Sequence, residues 1–166
     1  VLSISLQCPN AVPADGSSVV FISLRRAVHS PSVLSFSSTL YLEPILGLLL
    51  CDVRPDFRYE LRLGLQEALV NAARHGNQGD STKAVQVYFI ITPQHYLWII
   101  TDEGEGFNCQ AKLNEEPLTK EDYLHSECGR GLYILKKIFD EVQWNETGNQ
   151  LRLCKHMPQG CRPILE

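Results

Sequence analysis

The chain has 166 residues, of which 44% are hydrophobic and 20% charged, and its formal net charge is -4. That length accommodates one domain with a full core and is short for two. The composition excludes an intrinsically disordered chain, and the mild acidity gives no support to nucleic-acid binding, which calls for a basic stripe to meet phosphates.

Residues 1–18 carry Pro9, Pro13, Asp15 and Gly16 and read as an irregular lead-in. Residues 19–24, VVFISL, form a short strand candidate, and the Ser-rich segment that follows to Ser38 has no clear state. Residues 40–50 are mostly apolar and fit a helix starting near Pro44, although Gly47 weakens it. The strongest helix spans 56–74: Leu61, Leu65, Ala68, Leu69 and Ala72 make an apolar stripe, and Gly76, Gly79 and Asp80 end it. Residues 84–91 and 95–101 are β-branched and aromatic, with a short link, and so predict an antiparallel hairpin in which Tyr96 and Trp98 pack within the sheet.

A glycine-rich turn at 102–106 leads into a polar stretch, 108–128, long enough to be a lid. Residues 132–139 have helical spacing, with Lys136 and Lys137 on a solvated face. Then come a strand at 142–144, a turn at 146–149, a last strand at 151–154 and a peripheral tail. Hairpin-joined strands mixed with helices predict an α/β chain with a helix layer on a mixed, mostly antiparallel sheet. The domain is expected to cover 19–155, with a tail at 156–166.

The six cysteines (Cys8, Cys51, Cys109, Cys128, Cys154 and Cys161) form no CxxC pair and no nearby Cys/His cluster, so reduced thiols and a cytoplasmic setting are expected. The longest apolar run, around 45–51, is too short to span a bilayer, and neither a targeting signal nor a membrane partner is read.

Three polar clusters stand out against this background. In the strong helix, LGLQEALVNAARHGN places Glu67, Asn71 and His75 four residues apart. At about 1.5 Å per residue they line one side over roughly 12 Å. A carboxylate there can take a proton from a hydroxyl, and an Asn oxygen can fill one place in a magnesium shell; a plain solvated helix face would look similar. After the strand LWII comes DEGEGF: Asp102 can accept a hydrogen bond from an exocyclic amine, while Gly104 and Gly106 let the backbone approach a flat ring. The same residues also make ordinary turns. Finally GRGL, residues 129–132, opens a helix whose free amides, with Arg130, suit phosphate oxygens, yet it lacks the ending of a P-loop.

Taken in order, Glu-x-x-x-Asn, a hairpin, Asp-x-Gly-x-Gly-Phe, a polar loop and Gly-x-Gly-Leu resemble the nucleotide-binding core of histidine-kinase ATPase domains, DNA gyrase, Hsp90 chaperones and MutL proteins. The wording EALVNAARHGN is similar to the stand-alone branch, the anti-sigma factor serine/threonine kinases of bacterial partner-switching systems. The resemblance runs from Phe57 to Lys155 and implies a two-layer α/β sandwich.

It further implies ATP and Mg2+ as cofactors, with Glu67 as general base toward a serine or threonine hydroxyl and Asn71 as magnesium ligand. Asp102 would read the adenine amine beside Gly104 and Gly106. Residues 107–128, starting at Phe107, would be the lid, whose end at Gly129, Arg130, Gly131 and Leu132 meets the phosphates. His75 falls on the phosphate side. The implied partners are a small antagonist protein as phosphate acceptor, a sigma factor or other output protein, and a second copy of the chain.

Two departures accompany the match. Where the family often has Gly-Thr supporting the adenine-reading Asp, this chain has Thr147, Gly148, Asn149 and Gln150, so support would come from Asn149 or be missing. The region before the pocket helix also diverges from the family. Alternative readings are a nucleotide-binding protein that sequesters a partner without phosphotransfer, and a histidine kinase catalytic domain; the latter normally follows a two-helix dimerisation segment that is not read before residue 57.

Overall fold

A computed structural model describes residues 21–23, 31–39, 41–92, 94–106 and 127–158. Six strands form one sheet: β1 (Phe21–Ser23), β2 (Ser32–Ser37), β3 (Ala84–Ile91), β4 (His95–Asp102), β5 (Glu141–Trp144) and β6 (Gln150–His156). Their spatial order is β1-β2-β3-β4-β6-β5, and every pairing among the described residues is antiparallel. Three helices cover one face: α1 (Leu42–Leu49), α2 (Pro55–Val70) and α3 (Glu127–Ile138). The expected two-layer arrangement of helices on a largely antiparallel sheet is therefore present.

Period-two alternation sets the two faces of the sheet. Val85, Val87 and Phe89 of β3, and Tyr96, Trp98 and Ile100 of β4, point under the helices and are buried. Leu34 and Phe36 of β2 and Leu151 and Leu153 of β6 continue that layer. Trp98 anchors it, stacked on Phe89 at 5.3 Å between centroids and edge-on to Tyr96 and to Phe139 beyond the end of α3. Such contacts add roughly 1 kcal/mol each to the area buried. Tyr96 and Trp98 are thus core residues, as their alternation predicted.

Helix α2 begins with Pro55 at its first position, where a missing N–H costs nothing. Its stripe of Leu61, Leu65, Ala68 and Leu69 is buried as expected. Gly64 lets α3 approach, since a Cβ there would meet the Phe139 ring.

The predicted helix over 56–74 does not stay α-helical to its end. From Asn71 to Gly76 the backbone widens into a single π turn, closed by Asn77 N–H on Ala72 O at 2.9 Å. Turns of this kind recur at functional sites because they re-aim side chains. Two further differences concern boundaries. β2 lies in the Ser-rich segment that had no clear state, and α3 starts at Glu127, two residues before the GRGL segment expected to open it. The amides of Gly131 and Leu132 therefore lie inside the helical ladder and not at its open end. The last strand also extends to His156, and Met157 behind it is buried, its N–H donating to Gln94 O at 2.7 Å. Among the described residues no helix is long and apolar enough to cross a membrane.

Candidate functional site

The polar side of α2 faces the start of α3. A Cβ placed on Gly131 would lie 3.2 Å from Asn71 Nδ2 and 3.4 Å from Glu67 Oε2. The third cluster is thus folded onto the first, and the absent side chain at 131 leaves Glu67 and Asn71 half-buried rather than covered. Arg130 beside it is exposed and Leu132 half-buried.

At the other end of the same polar side, Asp102 closes β4 and lies against the π turn. A Cβ on Gly76 would fall on the Asp102 carboxyl, so only glycine fits there. Gly104 is pressed against Gly76 O in the same way, and Gly106, at φ +78°, lies against Thr147 O. Glycine is needed at 106 on both counts, space and left-handed backbone.

Sequence reasoning missed the residue that ties these pieces together. Asn77 is fully buried; its Nδ2 donates to Ser38 Oγ at 2.8 Å and Ala84 O at 2.9 Å, and its Oδ1 accepts from Glu103 N–H at 2.7 Å. One amide therefore joins the end of the π turn, the start of β3 and the glycine-rich turn. The available signal was a polar residue directly after the helix-ending glycine, which local reading takes for a turn.

Asp102 N–H donates to Asn149 O at 3.0 Å, while the Asn149 side chain is engaged by Asn145 Nδ2 and Thr147 Oγ1. Asn149 thus supports Asp102 through its backbone, not through its side chain. Among the described residues the Asp102 carboxylate accepts one hydrogen bond, from Gly104 N–H at 2.9 Å. Burial raises the Asp102 carboxyl above its ordinary value, opposed by that N–H and by Lys83.

His75 is exposed and makes no hydrogen bond or ion pair among the described residues. Phe107 and most of the expected lid lie outside those residues. A separate concavity of about 500 Å3 opens on the far face of the sheet between Tyr88, Ile90, Leu97 and Ile99. Its lining holds no carboxylate or imidazole.

The sequence profile of the family described as "Histidine kinase-like ATPase domain" matches residues 50–155. The chain belongs to the histidine kinase-like ATPase family. That segment includes Glu67, Asn71, Asp102 and Gly131, and the helix-on-sheet architecture agrees with it. Relatives within this family are named serine-protein kinase RsbW. The protein of Bacillus subtilis (strain 168) is 29% identical over 103 residues, covering 59% of this chain and 64% of its own length. That of Bacillus licheniformis is 32% identical over 88 residues, covering 51% and 54%, and that of Oceanobacillus iheyensis is 27% identical over 115 residues, covering 64% and 72%. The first two matches span less than two thirds of the relatives' length. The resemblance to the kinase branch of this ATPase family is borne out by these relatives.

Proposed function

We propose that this ATPase-family chain is a Mg2+- and ATP-dependent serine/threonine protein kinase of the anti-sigma type. Its acceptor would be a small antagonist protein whose phosphorylation frees or captures a sigma factor or other output protein. The observation that carries the reading is the single polar side of α2 and its π turn, with Gly131 against Glu67 and Asn71 at one end and Gly76 against Asp102 at the other. Glu67 and Gly76 are nine steps apart in sequence, roughly 13 Å along a helix at about 1.5 Å per residue, which leaves room for an extended ligand between the two ends.

The residues present fit such a ligand. Asp102 offers a carboxylate acceptor in a half-buried position flanked by Gly104 and Gly106, suited to the amine edge of a purine. Asn71 offers an amide oxygen of the kind hard cations take. The start of α3 offers its free amides and Arg130 to anionic oxygens. When bound, Mg-ATP supplies the transferable γ-phosphoryl group and the cation that neutralises its charge. Glu67 orients the incoming hydroxyl and takes its proton late in the transfer, and Asn71 fixes the geometry beside it. Placement accounts for most of the acceleration.

Calorimetric titration of Mg-ATP into the wild type and Asp102→Asn tests this reading. The variant is expected to lose roughly tenfold to hundredfold in affinity, the range for a hydrogen bond to a charged acceptor. A wild type that binds no Mg-ATP would sink the proposal.

The direction of the Asp102 shift adds a pH signature. ATP affinity should fall as pH drops through the raised carboxyl value, because the protonated group no longer accepts freely, and Asp102→Asn should lack that dependence. For folding the sign is opposite to the usual paired carboxylate. The native carboxyl keeps its proton to higher pH than the unfolded chain does, so its contribution to stability is greatest at low pH. That contribution declines between the ordinary value of about 3.9 and the raised one. The variant should therefore melt no lower than the wild type at neutral pH. Gly76→Ala should weaken ATP at least about tenfold with Asp102 still present, because the new methyl displaces its carboxyl; unchanged affinity would mean that the carboxyl position is irrelevant to binding.

A further inference from the structure

A second cluster of chemistry-bearing side chains lies on the opposite face of the sheet from Glu67 and Asn71. Cys154 on β6 stands directly across from Glu141 on β5, and His156 is two residues further along β6. Cross-strand partners and i, i+2 neighbours share a face, so thiol, carboxylate and imidazole project together. One ligand atom from each lies within 4.8 Å of the others. We propose that Cys154, His156 and Glu141 form a binding site for a borderline-soft divalent transition metal of the zinc class.

The geometry is close to what such an ion requires. His156 Nε2 and Glu141 Oε1 are 3.2 Å apart, near the ~3.3 Å edge of a tetrahedron with bonds of about 2.0 Å. Arg152 Nη1 holds the other carboxylate oxygen, Oε2, at 2.9 Å, which leaves Oε1 turned toward the imidazole. That is the outer contact by which metal sites commonly orient a carboxylate. His95, the register partner of His156 on β4 with ring centroids 6.3 Å apart, lies outside the three-residue group, so solvent water would complete the coordination.

The donor set decides the class of ion. A sulfur, a nitrogen and one carboxylate oxygen suit Zn2+ and its neighbours and disfavour Mg2+ and Ca2+, which take oxygens alone. An ion pair relay of Arg152, Glu141 and His156 would account for three of these groups but not for a buried thiol beside them. Burial, helped by the Glu141 and Asp140 charges and opposed by Arg152, holds the Cys154 proton in place; a bound dication would displace it. The local sequence hides the site because only Cys154 and His156 are neighbours, and Glu141 arrives through the β5–β6 pairing. A bound ion would clip the edge strand β5 to β6, independently of any nucleotide on the helix side.

Chelator-stripped full chain titrated with Co2+ and then Zn2+, followed by absorption and calorimetry, tests the site. The expected result is one Co2+ per chain with a thiolate-to-cobalt charge-transfer band that Zn2+ abolishes. Cys154→Ser should lose the band, while Cys51→Ser, at an exposed cysteine away from the cluster, should keep it. His156→Gln should weaken binding at least about tenfold. This imidazole is 55% exposed, so the variant is expected to fold even if Cys154→Ser does not, as circular dichroism would show. Absence of a band in the wild type, a band that survives Cys154→Ser, or wild-type affinity in His156→Gln would each overturn the proposal.

Discussion

Asn77→Ala is expected to cost about 3 kcal/mol of stability and to lower the melting midpoint by roughly 10 °C. The side chain is fully buried and engages three partners on three different segments: Ser38 Oγ, Ala84 O and Glu103 N–H. Ser38 keeps its own bond to Lys83 O, so the main penalty falls on the carbonyl of Ala84 and the N–H of Glu103, which lose their Asn77 partner in part-buried positions. The consequence should extend beyond stability. Glu103 immediately follows Asp102, and releasing its N–H frees the glycine-rich turn from the π turn, so ATP affinity should fall as well. Chemical denaturation beside ATP calorimetry separates the two. If the variant melts like the wild type, Asn77 is not the tie between these segments; if it melts lower but binds ATP fully, Asp102 is positioned without it.

How far the site could be read from the sequence depended on whether a residue's partner was local. The β3–β4 hairpin was legible because β-branched and aromatic residues alternate on both sides of a short link, and β3 has the predicted bounds. β2 was not, since its outward positions are largely serines after Pro31, which read locally as loop; its pairing with β3, Ser32 to Phe89 through Ser37 to Ala84, decides the matter. The start of α3 was placed too late for a related reason. Gly129 and Gly131 have poor helix propensity, and what holds Gly131 in a helix is its fit against Glu67 and Asn71. The widening of the backbone at Asn71–Gly76 leaves no periodic trace, because a single π turn changes the apolar spacing by too little to register in the helical pattern.

The same contact between α2 and α3 shapes the largest kinetic effect expected. Glu67→Gln is isosteric, so it preserves the approach of Gly131 and the half-buried setting of Asn71, and it removes only the capacity to take a proton. Phosphate transfer to a small antagonist protein should fall by roughly 10²–10⁴-fold, the usual contribution of a general base, while Mg-ATP affinity stays within about twofold. Asp102→Asn should do the reverse at saturating ATP, with binding impaired and single-turnover transfer largely retained. Gly131→Ala should damage both, because its methyl would lie within van der Waals contact of the Glu67 carboxylate and the Asn71 amide together. Rapid-quench measurement of transfer beside calorimetry distinguishes the three variants. Wild-type transfer by Glu67→Gln would remove the general base from the mechanism, and loss of ATP binding in the same variant would make Glu67 part of the nucleotide pocket instead.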